Sequence, residues 1–244
     1  MNLTPQLAAA AAGAPIASIS ELTGSGDVLV LAPHPDDESL GMGGAIASAC
    51  DSGHRVHVAI ITDGAASHRK SLRYAAPRLA ELRRREVEQA VTILTKGREM
   101  PIWLGYPDLS APETEASFFE VGQRLAPILD RVSAVWTTWG GDPHPDHQRT
   151  WHLARHLAAQ RYDRKLFGCP IWSRVQDMVP GFVPAGLMRF GSSNWRELKA
   201  SAVSSHVSQM TGLIADDPSG FRMAPDLAAY FVDSDELFIP GGNE

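Results

Sequence analysis

The chain has 244 residues, 44% of them hydrophobic and 20% charged, the composition of a globular protein with enough apolar side chains for one substantial core. A formal net charge of -6 and a pI of about 5.8 leave no basic footprint for nucleic acid or an anionic membrane surface. Two cysteines, Cys50 and Cys169, are too few for a disulfide framework and read as reduced thiols.

Residues 1–26 predict an N-terminal helix and loop packed on the outside of a single domain that occupies 27–244. This alanine-rich start has no Lys or Arg ahead of its apolar part, unlike a secretory signal. No stretch approaches the roughly 18 apolar residues of a membrane span, so a cytoplasmic protein is expected. The run Val28–Ala32 is short, β-branched and bounded by Gly26-Asp27 and by prolines, the signature of a buried strand.

Spacing then predicts a helix over 43–52, a strand over 55–62 and an amphipathic helix over 78–95, with Leu79, Leu82, Val87, Ala90, Val91 and Leu94 on its apolar stripe. A strand over 101–104, a helix over 116–129, a strand over 132–139 and a helix over 146–160 follow. Beyond Lys165 the pattern loosens into strands over 166–172 and 187–190, a helix over 194–205 and a last packing segment over 231–239. Strands alternating with helices predict an α/β fold: a three-layer, Rossmann-like, mostly parallel twisted sheet. The polar loop 63–77, with Ser67, His68, Arg69 and Lys70, has the length and basic content of a lid or substrate loop.

Chemistry gathers just past two of the predicted strands, where open α/β sheets place their sites. The first cluster is His34, Asp36, Asp37 and Glu38; the second, far down the chain, is Asp142, His144, Asp146 and His147. Hydrolytic zinc sites use three ligands from His, Asp, Glu or Cys and leave a position for water. His34 and Asp37, three apart on one loop, can face a single ion, and His147 can supply the third ligand from the neighbouring loop. A ligand set of two histidines and one aspartate suits Zn²⁺ and would also accept Fe²⁺ or Co²⁺. Asp36, beside a ligand, is placed to be a general base. His144 is placed to reach the other side of a substrate carbonyl, where a protonated imidazole would stabilise an oxyanion or act as an acid. Asp146 or Asp142 would hold that ring charged. Glu38 orients the loop by capping the helix that follows.

Pro33-His34-Pro35-Asp36-Asp37-Glu38 together with His144-Pro145-Asp146-His147 resembles the paired signature of the PIG-L/LmbE-like deacetylases, zinc-dependent amidases that remove acetyl groups from N-acetylglucosamine-type substrates. The similarity runs from about Val28 to Gln209. It takes in Gly43-Gly44, Thr62-Asp63-Gly64, the helix bearing Arg83, Glu86 and Ala90, Leu104-Gly105-Tyr106-Pro107-Asp108, and the late set Lys199, His206, Ser208 and Gln209. The resemblance implies His34, Asp37 and His147 as zinc ligands, Asp36 as base and His144 as the oxyanion-stabilising group. It implies an N-acylated sugar or sugar conjugate as substrate, and a homo-oligomer is compatible with it. Two positions depart from the family pattern. Ala65 stands where members often carry glutamate, and Asp142 stands where some have tyrosine.

For substrate contacts the sequence offers Arg69 in the 63–77 loop, Arg83 and His206. Arg83 either pairs with Glu86 on the surface or turns toward the site; His206 is either a helix-end histidine satisfied by backbone or a residue that reaches the pocket. A competing class is a non-catalytic sugar- or nucleotide-binding module, because Gly41-x-Gly43-Gly44 with Asp63 imitates a dinucleotide fold. The imitation fails on placement: eight residues, Pro33–Leu40, separate the strand from the glycines.

Overall fold

The computed structural model describes residues 3–242. Seven strands form one sheet in the order β3-β2-β1-β4-β5-β7-β6. These are β1 (Asp27–Ala32), β2 (Val56–Thr62), β3 (Ile102–Tyr106), β4 (Val132–Thr138), β5 (Lys165–Cys169), β6 (Met188–Phe190) and β7 (Glu236–Pro240). All pairings are parallel except those of β7, which runs antiparallel to β5 and β6.

The two-residue period of β1 divides the core. Leu29 and Leu31 pack into one apolar layer with α5 (Glu115–Leu129) and α6 (Pro145–Ala159). Val28, Val30 and Ala32 pack into the other with α3 (Asp37–Asp51), α4 (Ala76–Leu94) and α7 (Arg196–Ser205). The three-layer, mostly parallel expectation therefore holds. In the N-terminal segment, α1 (Pro5–Ala12) joins the first layer through Leu7 and α2 (Ile19–Thr23) joins the second through Leu22. Among the described residues no helix is long and apolar enough to cross a membrane.

Three elements differ from expectation for identifiable reasons. Helix α3 begins at Asp37, six residues before the apolar pattern begins, because its first turn is polar yet buried. The strand expected over 166–172 stops at Cys169. Pro170 follows, and the next three backbone N–H groups turn to a carboxylate, that of Asp142. Beyond the short helix α8 (Val207–Met210), the segment 231–239 resolves into the end of α9 (Pro225–Asp233) and strand β7. Glu236 of β7 reaches α3, accepting from the backbone N–H of Gly44 at 2.7 Å and Ala45 at 2.8 Å while Lys199 donates to it at 2.7 Å. A Cβ on Gly44 would lie 2.3 Å from that of Ser192, so this glycine serves close packing inside a helix and cradles no phosphate.

Strand order reverses between β1 and β4, and the crevice at that switch point is the favoured ligand position of such sheets. The loops that leave these two strands carry the two clusters.

Candidate active site

The β1 loop ends at Asp36, whose φ of 139° lies in a region that non-glycine residues avoid. Two neighbours hold it there. Its N–H donates to Glu38 Oε2 at 3.0 Å, and Arg83 Nη2 donates to its Oδ2 at 3.1 Å. Arg83 is buried and also donates to the carbonyls of Pro35 and Gly64, at 2.6 and 2.8 Å. Gly64 is required here, since a Cβ would stand 2.1 Å from Arg83 Nη1. Arg83 thus turns inward, and Glu86 instead accepts from the N–H and hydroxyl of Ser208.

The two loops converge. Asp37 Oδ2 lies 3.2 Å from His34 Nδ1 and 3.3 Å from His147 Nε2. His147 presents its other nitrogen to Asp142 Oδ2 at 2.9 Å. That leaves the buried Nε2 without a hydrogen bond. An imidazole tied down at one nitrogen and bare at the other, facing a carboxylate and a second imidazole, is the arrangement of a metal ligand with its outer support.

Two other sets also cluster, with ligand atoms within 4.8 Å of one another: His34, His144 and His147, and His34, Asp108 and Asp146. The second of these is already occupied by donors. Asp146 accepts from the N–H of Leu109 at 2.7 Å and of Ala111 at 3.1 Å, and Asp108 accepts from that of Ala66 at 2.9 Å. Asp37 Oδ2 also accepts from the His34 backbone N–H at 3.0 Å, and the orphaned His147 Nε2 faces both Asp37 and the His34–His144 pair, so His34, Asp37, His144 and His147 are the residues that could hold a cation here.

Charge around the set follows from burial and neighbours. Burial opposes charging of His147, but Asp37 and Asp142 outweigh it and push it up to about 9. Burial likewise opposes charging of His34, and Asp108, Asp146 and Asp37 overcome it and raise it well above the usual imidazole range. Burial is the main influence on Asp36, raising it to about 6 against the pull of Arg83. His144 is lowered to about 4, by burial and by its position beside His34 and His147.

His144 differs from expectation. Its Nδ1 accepts from the Asp146 backbone N–H at 3.2 Å, capping α6. Asp142 faces His147, and Asp146 faces His34 Nε2 at 3.3 Å, so the carboxylates expected to charge His144 serve the other two rings. The neutral ring carries its proton on Nε2.

A family model described as "PIG-L: GlcNAc-PI de-N-acetylase" matches residues 29–158, more than half of the chain. This chain belongs to the PIG-L family. Among curated proteins, the diacetylchitobiose deacetylase of Thermococcus kodakarensis is 27% identical over 197 residues, covering 75% of this chain and 69% of that one. Among solved structures, the N,N'-diacetylchitobiose deacetylase of Pyrococcus horikoshii superposes with a TM-score of 0.68 at 23% identity, over 89% of this chain and 84% of the other. A conserved protein of Thermus thermophilus gives 0.60 at 28% identity, over 88% and 94%.

In this PIG-L chain a cavity of about 220 Å³ opens beside His34, Asp36, Asp37 and His144. Arg83 and Arg69 both line it, Arg69 from the exposed rim of the 63–77 loop. His206 does not. It is fully buried, its Nε2 3.1 Å from Glu38 Oε1, while its Nδ1 has no hydrogen bond, from backbone or otherwise. Asp108, which lines the cavity and lies 3.4 Å from His34, carries a role that spacing alone did not assign. Its only signal was membership of the Gly105-Tyr106-Pro107-Asp108 turn. Asp142, expected to hold the His144 ring, instead supports His147 and accepts from the N–H groups of Ile171, Trp172 and Ser173.

Proposed function

We propose that this chain is a metal-dependent amidohydrolase that removes an N-acyl group, an acetyl group in the first instance, from an amino sugar or sugar conjugate. The observation that carries the reading is the meeting of His34 Nδ1, Asp37 Oδ2 and a His147 Nε2 that no hydrogen bond satisfies, with a further carboxylate, Asp36, lining the same cavity. The names of the similar deacetylases support the substrate class.

His34, Asp37 and His147 would hold the ion, which we read as zinc, with Fe²⁺ or Co²⁺ as substitutes. When bound, it would supply Lewis-acid polarisation of the amide carbonyl and acidify the attacking water. Asp36 takes a proton from that water as it adds to the carbonyl carbon. Burial raises this carboxyl to about 6, which brings its basicity toward working pH, and Arg83 fixes its direction. His144, neutral and protonated on Nε2, donates to the oxyanion as the carbonyl oxygen gains charge. The C–N bond then breaks, Asp36 returns its proton to the departing nitrogen, and a carboxylate and a free amine leave. Asp146 acts through His34 and the 109–111 backbone, as a positioning residue.

The test is to incubate purified protein with a panel of N-acetylated sugars and conjugates and to measure primary amine with and without a chelator. Amine release that chelation abolishes and Zn²⁺ restores is the expected result. Release that persists undiminished in metal-free protein overturns the mechanism.

A further inference from the structure

The side chains that line the cavity are of two kinds. The polar ones include Ser67, Arg69, Asp108 and Gln209. Arg69 is exposed at the rim, and among the described residues its guanidinium has no hydrogen bond or ion pair. Four of the apolar ones, Leu40, Trp172, Phe221 and Met223, belong to one apolar cluster and form an apolar wall in which only the Trp172 indole N–H can make a conventional hydrogen bond.

This apolar wall is built and braced. Leu40 and Met223 are each 2% exposed and belong to a separate apolar cluster with Ile171, Val203, Leu227 and Phe231, against which Trp172 and Phe221 pack. The Trp172 and Phe221 rings meet edge to face at 5.6 Å. Backbone bonds fix the segments that carry them: Phe221 N–H donates to the Ser67 carbonyl and Met223 N–H to that of Gln209, both at 2.8 Å. Trp172 N–H donates to Asp142, the carboxylate that also holds His147, so the apolar wall and the cation site share one support. Leu40 stands one helical turn after Asp36 and places hydrocarbon next to the base.

A hexosamine bearing only an acetyl group offers hydroxyls to most of its surroundings and leaves such a wall poorly used, whereas a pre-formed apolar surface rewards an apolar ligand group without ordering cost. Resting on the amidohydrolase reading, we infer that the substrate carries an apolar substituent close to the scissile amide, seated on Leu40, Trp172, Phe221 and Met223, with its hydroxylated part toward Arg69 and Asp108. The hydrocarbon has two sources: an acyl chain longer than acetyl, or an aryl or alkyl aglycone.

Three ligands separate the sources: N-acetylglucosamine, N-hexanoylglucosamine and phenyl N-acetyl-β-glucosaminide. Binding is measured by calorimetry on Zn²⁺-loaded Asp36→Asn protein, and kcat/KM by amine release on the wild-type enzyme. Four added methylenes, if fully buried, correspond to a gain of roughly 200-fold. Partial burial gives an expected gain of at least about tenfold in binding for one derivative, and which derivative gains identifies the source. Trp172→Ala and Phe221→Ser, both truncating half-buried side chains, are expected to bring that ratio toward unity. Derivatives that both bind within about threefold of N-acetylglucosamine overturn the inference, as does a preference that survives in both variants. Binding preference without amine release from any ligand sinks the amidohydrolase reading and leaves the apolar subsite standing. Equal release from all three does the reverse.

Discussion

The sheet carries a histidine–carboxylate cluster at each end, and the two are built oppositely. At the amino end, His57 lies 2.9 Å from Asp27 and 3.7 Å from Glu99, and each acid has its own arginine, Arg131 and Arg55, extending into solvent. At the carboxyl end, Asp36, Asp37, Asp108, Asp142 and Asp146 crowd around the rings of His34, His144 and His147. Among the described residues, the arginines paired with these acids are Arg83 on Asp36 and Arg149 on Asp146. Acids withdrawn from water need compensation. The same residue types therefore make pairs neutralised by solvent-exposed arginines at one end and, at the other, a buried excess of acids around three imidazoles, a charge balance that a divalent ion would suit.

Removing a carboxyl-end imidazole should break that contrast most severely. His147→Ala, and likewise His34→Ala, is expected to weaken metal binding by more than about 100-fold and to abolish amine release. Metal content after dialysis and kcat on the loaded protein are the measurements, and a variant that kept one ion per chain would remove that residue from the ligand set. Next in size is Asp36→Asn, which should keep its metal and lose about 10²–10⁴-fold in kcat. A loss under tenfold would place the base elsewhere.

Asp142→Asn sharpens the comparison, because this carboxylate has no counterpart at the amino end: it holds His147 on one side and the 171–173 backbone on the other. Loss of such outer support is expected to cost about 10–100-fold in metal affinity, read by competition with a chelator. Unchanged affinity would mean that His147 is oriented by packing alone.

How much of this could be read from the chain follows the same division between local and distant. Strands β1, β2 and β4 announce themselves by apolar runs, and the two clusters by dense acids and histidines at the ends of such runs. Asp108 is opaque to that logic, a single acid in a turn whose partner, His34, lies far back in the chain. The positive φ of Asp36 depends on Arg83 and Glu38, one of them on another helix. Insertion of β7 between β5 and β6 could not be foreseen either. Only Ser234 and Asp235 separate it from α9, and hydrophobic periodicity blurs across so short a join.

A smaller effect concerns pH. Burial opposes charging of His206, but Glu38, with Asp36 and Glu86 further away, outweighs it and raises its pKa. A histidine raised in the folded state contributes stability that is fully present below its unfolded value of about 6.5 and is lost as pH rises through the folded value. Metal-loaded protein, in which the ligand imidazoles are held neutral, should therefore lose denaturant stability as pH climbs above about 6.5, and His206→Gln should flatten that slope. An unaltered slope would show that other groups set it.

The smallest expected effect lies at the amino end, and there the comparison is most easily refuted. Asp27 accepts from His57 and pairs with Arg131 at 3.2 Å, a partner 52% exposed in its side chain. Asp27→Asn keeps an acceptor for the buried imidazole and removes the attraction to the exposed Arg131, so its cost is expected at about 1 kcal/mol or less in urea unfolding. Because neither cluster touches the other, kcat and metal content should stay within about twofold of wild type, as for separate sites. A tenfold fall in kcat would mean that the length of β1 couples the two ends. The charge balance at the carboxyl end would then depend on that at the amino end, and the two clusters would have to be treated as one electrostatic unit.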